Sequence, residues 1–110
     1  MRLITAVAVA IGVLWSTAAM AQDAKVAQGM KVYAAQKCSV CHSIAGKGMA
    51  KGPLDGIGGK LSADDLHQWL VKPAEMAKKA NSTRKPPMKS YASLSKDDQD
   101  ALVAYMLSLK

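Results

Sequence analysis

Apolar and polar residues divide this chain into segments of distinct character. Leu3 to Ala21 is a run of 19 residues without a charge, ending in the small-x-small pattern Ala19-Met20-Ala21. From Ala24 to Ala35, Val26, Met30 and Tyr33 recur at i, i+4 and i+7. That spacing predicts a helix with one apolar stripe, capped by Asp23. Periodicity then disappears between Ser43 and Lys60, where six of the eight glycines gather with Pro53, and a wrapping loop is expected. Ser62 and Asp65 open a second helix by a capping-box variant, with Leu66, Trp69 and Leu70 inward and Pro73 closing it. Residues 74–80 fit a further short helix. Pro86-Pro87 enforces an extended path, because neither residue has an amide proton to donate. Ser95 and Asp98 start a last helix that runs to about Leu109, with Leu102, Tyr105, Met106 and Leu109 on one face. No segment reads as a strand. The expected fold class is all-α, with three to five helices joined by loops.

The ends of the chain set its compartment. A basic Arg2, the uncharged run and the Ala-x-Ala ending read as a signal peptide over residues 1–21, cleaved to leave one domain over 22–110. A run of 19 residues approaches the length of a bilayer span. Its Ala-rich, modest hydrophobicity and its cleavage pattern favour removal, so no permanent membrane anchor is expected. Export places the domain in the periplasm, where disulfides are permitted. Its 14 basic and 8 acidic residues leave a net charge of +6. Phe is absent, and only Trp69, Tyr33, Tyr91 and Tyr105 supply aromatic bulk to the remaining 89 residues. So small a core calls for a staple or a cofactor.

The chemistry gathers in "KCSVCHSI", which contains both cysteines. Two thiols three residues apart on a helical turn address one partner. A disulfide across so short a loop constrains the unfolded chain little. A thiol–disulfide oxidoreductase places C-x-x-C at a helix start after a strand, whereas here the motif follows a helix. Zinc needs four ligands around a tetrahedron, which His42, adjacent to Cys41, cannot readily complete. Haem fits best, since C-x-x-C-H is the attachment signature of c-type haem. Cys38 and Cys41 each form a thioether with a porphyrin vinyl group, and His42 then lies beneath the ring as the iron ligand. The glycine clusters "GKG" and "GIGG" have no preceding strand and no complete G-x-G-x-x-G, so no nucleotide site is expected; they let backbone lie against a haem edge.

From Ala24 to Lys110 the sequence resembles the small class I c-type cytochromes. The resemblance is carried by Gly29 and Tyr33 ahead of "CSVCH", by Gly52-Pro53 after it, by Trp69, by the Pro-flanked Met88 and by "LVAYMLSL" at the end. It implies an orthogonal helix bundle wrapped around one covalently attached haem c. The first and last helices would approach closely at Gly29, against the Leu102–Tyr105 face. The Pro53 carbonyl would accept a hydrogen bond from the His42 imidazole, fixing the ring.

The second axial ligand must come from His67 or from a methionine. Met30 and Met106 lie on apolar helical faces, where methionine more often fills core. Met49, seven residues past His42, would have to swing around the ring. Met76 sits in a short helix, where lining the haem pocket is an ordinary role, and His67 is expected to face water. Met88 follows a stiff Pro-Pro segment that presents a thioether with little entropy to lose, and the resemblance points to the same residue. His/Met ligation raises the reduction potential. With both faces of the iron occupied, the expected function is a periplasmic one-electron carrier, not an enzyme, and monomeric when free. Its partners are other redox proteins, whose acidic surfaces would meet Lys78, Lys79, Arg84, Lys85 and Lys89. Nucleic acid is not among them, given export and so little aromatic surface. Two other roles stay open: the cytochrome subunit of a periplasmic dehydrogenase, or a ligand-binding or peroxide-reducing haem protein with a labile sixth ligand.

Overall fold

The computed structural model describes the backbone of residues 8–110 and the side chains of residues 17–110. Four α-helices occur among the described residues: α1 (Ala8–Ala35), α2 (Ala63–Val71), α3 (Pro73–Lys79) and α4 (Lys96–Ser108). Residues 1–7 of the expected leader lie outside the described part. The helix expected from Ala24 is continuous from Ala8, so Asp23 sits inside α1 and caps nothing. Residues 17–25 are all exposed along it, and burial begins only at Val26. Among the described residues no helix is long and apolar enough to cross a membrane.

Both predicted serine caps form. The Ser62 hydroxyl accepts the Asp65 amide at 3.2 Å, and the Ser95 hydroxyl accepts the Asp98 amide at 3.1 Å. Each hydroxyl satisfies an amide that the first helical turn would leave without a partner. Pro73 has a second role beyond ending α2. It is the first residue of α3, where its missing N–H costs nothing, and Lys72 joins the two helices.

The main packing contact is α1 against α4. Gly29 is buried there, and a Cβ at this position would collide with the Ala101 carbonyl and with Tyr105 Cβ. Hydrogen is therefore the only side chain that lets the helices approach this closely. One turn on, the rings of Tyr33 and Tyr105 meet edge to face with centroids 5.7 Å apart. The buried stripe of α1 thus passes through Gly29 and Val32, while Met30, expected to fill core, is 52% exposed. Leu66 of α2 joins Val103 and Met106 of α4 at the centre of the apolar cluster, with Leu70 against it.

Two departures come from the glycine-rich loop. A two-residue antiparallel ladder pairs β1 (Ser43–Ile44) with β2 (Lys47–Gly48), where no strand was expected. The turn Ile57–Gly59 ties to the end of α4, with the Gly58 amide donating to the Leu109 carbonyl at 2.8 Å. Gly58 therefore serves contact between chain segments.

Candidate functional site

Cys38 opens a short 3-10 turn, Cys38–Val40, two residues after α1, with Cys41 as its C-terminal cap and His42 next in the chain. The turn closes through amides of Cys41 and His42 that both donate to the Cys38 carbonyl, at 3.1 and 3.0 Å. The loop beyond locks the motif from below. The Met49 amide reaches the Ser39 and His42 carbonyls, and the buried Ser43 exchanges backbone bonds with Gly52 and Leu54.

Both cysteines are free thiols, half-buried. Burial pushes the Cys38 thiol above its ordinary pKa, and the neighbouring Lys89 only partly opposes this. A thiol held protonated is a poor nucleophile for disulfide exchange.

His42 Nδ1 lies 3.1 Å from the Gly52 carbonyl oxygen. A carbonyl only accepts, so Nδ1 carries the proton and Nε2 keeps its lone pair. Burial lowers the pKa of this imidazole, which favours the neutral, ligating form. The acceptor differs from the expected Pro53 by one residue. Gly52 holds the role because its carbonyl also receives the Ser43 amide and so points at the motif. A Cβ on Gly52 would strike the Cys41 carbonyl and the Arg84 guanidinium.

The segment 84–91 folds over this motif. Arg84 donates from its guanidinium to the Cys41 carbonyl at 2.8 Å, across 43 residues of sequence. Lys89 lies near enough to act electrostatically on Cys38, as do both cysteines on Tyr91. Tyr91 has a raised pKa, through burial first and the cysteines second. Met88 sits between these residues and is half-buried, as is Met76 on α3. Met49 is 45% exposed and Met106 belongs to the core. His67 does not simply face water. Its Nε2 bonds to Gln99 Oε1 at 3.0 Å.

Residue pattern alone missed the structural parts played by Arg84 and Gln99. Arg84 read only as one charge in a basic run. Gln99 did carry a signal, since it lies three and seven residues before Leu102 and Met106 on the apolar stripe of α4.

A cavity of about 440 Å³ opens beside Cys41, with Val40, Met49 and Pro86 as apolar walls and Lys51, Arg84 and Lys85 at its rim.

Residues 26–110 match the cytochrome c family. The chain belongs to that family. Membership brings one covalently attached haem c, its iron and a role in electron transfer, and makes the helical architecture that of a cytochrome c. A search of curated proteins finds cytochrome c oxidase subunit 2 of Alkalihalophilus pseudofirmus (strain ATCC BAA-2126 / JCM 17055 / OF4), 34% identical over 92 residues. The alignment covers 76% of this chain but spans only 25% of that relative's length. No solved structure matches.

The residues around Cys38, Cys41 and His42 fit a haem c. No large side chain is completely buried among the described residues, so side chains alone leave the interior incompletely filled. The Tyr33 hydroxyl is buried near Cys38 without a hydrogen-bond partner among them. The donor set is also right, with two thiols and an imidazole whose Nε2 is free.

Proposed function

We propose that the protein is a soluble periplasmic one-electron carrier, with Cys38 and Cys41 as thioether tethers and His42 and Met88 as axial ligands of the iron. The observation that carries this reading is the segment 84–91 lying over the C-x-x-C-H turn, strapped to it by Arg84. When bound, haem c supplies a ferric/ferrous couple that exchanges one electron with each partner.

The polypeptide's work is positional. Gly52 orients the His42 ring and commits its Nδ1 proton, leaving Nε2 for the metal. Met88 follows Pro86-Pro87 and is half-buried in the segment facing the cysteines. Met76 belongs to α3, which packs on α2, and His67 commits its Nε2 to Gln99. Both facts favour Met88 over these alternatives. With His42 and Met88 both holding the iron, no position would remain for a substrate, which supports a carrier over a ligand-binding or peroxide-reducing protein.

Export follows from the leader read in residues 1–21, and it is supported by the exposed stretch of α1 ahead of Val26. The partner surface centres on exposed Val40 and Met49, with Lys51 and Lys85 around it and the exposed Lys78 and Lys79 adding to the positive charge of the chain. Apolar contact inside a basic rim suits an acidic redox partner. Likeness to a quarter of a cytochrome c oxidase subunit supports a respiratory oxidase as electron acceptor.

Met88→Ala tests the ligand assignment. The reduced variant should bind carbon monoxide rapidly while the wild type refuses it, and the ferric absorption spectrum should lose its thioether-to-iron band. An unchanged spectrum in the variant would move the ligand to Met76 or His67.

A further inference from the structure

Gln99 is, with Ser43, one of two buried polar residues among the described residues, at 8% exposure. It stands in the first turn of α4, on the stripe whose other members are apolar. Its carboxamide nitrogen points at three backbone carbonyls of the segment that leaves Met88: Leu94 at 2.9 Å, Ala92 at 3.2 Å and Tyr91 at 3.5 Å. Three carbonyl acceptors on one side fix the orientation of the amide, because only the NH2 group can face them. Oε1 is thereby turned to His67 of α2, which donates from Nε2 at 3.0 Å. One side chain thus joins α2, α4 and the 91–94 turn.

Met88 is three residues upstream of that turn, a length of at most about 10 Å of extended chain. The intervening residues are held as well. Ser90 Oγ donates to the Val71 carbonyl at 3.0 Å, and the Tyr91 amide donates to the Leu70 carbonyl at 2.7 Å. Upstream, Arg84 holds the Cys41 carbonyl. The Met88 segment is therefore a short span fastened at both ends, and Gln99 is the buried part of its downstream fastening. An apolar residue at 99 would fill the same stripe and leave the Ala92 and Leu94 carbonyls to find other donors or to move, while the Tyr91 carbonyl keeps only the Leu94 amide.

We propose that Gln99 is a positioning residue for the sixth ligand: its clamp on Tyr91–Leu94 removes the slack that Met88 would need to leave the iron. This rests on the reading of Met88 as that ligand. His67 supports the clamp by giving the buried Oε1 its hydrogen bond, and so contributes to ligation without touching iron.

The test uses the intact holoprotein with imidazole as the probe, because imidazole binds the ferric iron only when the native sixth ligand departs. Gln99→Leu keeps an apolar residue of similar bulk on the stripe. It should raise the affinity for imidazole about tenfold, the worth of one to two lost hydrogen bonds. The thioether-to-iron band should weaken in parallel. His67→Ala leaves the carbonyl contacts in place but strips the buried Oε1 of its hydrogen bond, and should give a smaller rise. It also serves as the readout if Gln99→Leu does not accumulate as folded protein. A lower thermal midpoint with imidazole affinity unchanged in whichever variant folds would make Gln99 a core residue only, and would overturn the proposal. Met88→Ala separates the two levels. If Met88→Ala binds imidazole no more tightly than wild type, the ligand assignment itself fails, and the role of Gln99 falls with it. If Met88→Ala binds more tightly and Gln99→Leu does not, only the role of Gln99 fails.

Discussion

Tyr33 shows how one residue can be legible in type and not in circumstance. Its place ahead of the cysteines marked it as an inward aromatic, and it is one, packed edge to face on Tyr105. The burial of its hydroxyl depends on how α1 and α4 close around it. Burial pushes its pKa up to about 12 from 10.0, with Cys38 adding to the shift. A raised pKa means that the folded protein holds the phenolic proton after the unfolded chain has released it. Tyr33 thus contributes stability that is fully present below pH 10 and lost as pH rises to about 12. Tyr33→Phe should flatten that alkaline decline, as read from thermal midpoints across the range. An identical decline in the variant would assign it to other groups. Gly52 and Pro53 make a similar contrast. The sequence marks the pair, but which carbonyl meets His42 depends on how the chain turns between Ser43 and Leu54, where Gly52 bonds the Ser43 amide.

At the scale of elements, local signals served best where local physics rules. Ser62 and Ser95 cap their helices as written, because a cap needs only an amide three residues on. The start of α1 was not legible. The apolar run and the more polar segment after it are both helix-compatible, and nothing at Asp23 breaks the backbone ladder between them. The β1–β2 ladder was also missed, since two residues are too few to show an alternating pattern. The α1–α4 crossing gives a sharp test of sign. In an exposed helix interior, Gly→Ala gains about 1 kcal/mol of propensity. At Gly29 the new methyl group meets the Ala101 carbonyl and Tyr105. Gly29→Ala should therefore destabilise by about 1–3 kcal/mol, the usual cost of overpacking. Chemical denaturation of the holoprotein would measure it, and a stabilised variant would mean that the helices are not held at this distance.

For the whole molecule, the charge balance is visible in the sequence, but its distribution over the surface is not. The basic run read as five equivalent charges. In the fold, Arg84 is committed to the Cys41 carbonyl and Lys89 lies 5.2 Å from the centre of the Tyr91 ring. Lys78, Lys79 and Lys85 are exposed, and Lys51 joins Lys85 at the rim of the cavity beside Cys41. Docking through such a rim is screened by salt, with a Debye length of about 10 Å at 0.1 M. The second-order rate of electron transfer to an acidic redox partner should fall as ionic strength rises, and Lys85→Gln should make that dependence shallower. A rate indifferent to salt would remove electrostatic docking while leaving the apolar contact at Val40 and Met49.

The sequence by itself determined the motif, the helical class and the family, because each is written in neighbouring residues: C-x-x-C-H, Ser-x-x-Asp, an apolar residue every third or fourth place. Only the tertiary structure decided which carbonyl meets His42, what Arg84 holds and why a polar Gln99 lies inside. Those bonds join residues up to 43 positions apart, and no local preference specifies them. They form where the packing of the helices and loops brings donor and acceptor together, and for Gln99, buried between α2 and α4, a missing partner would cost more than the bond returns.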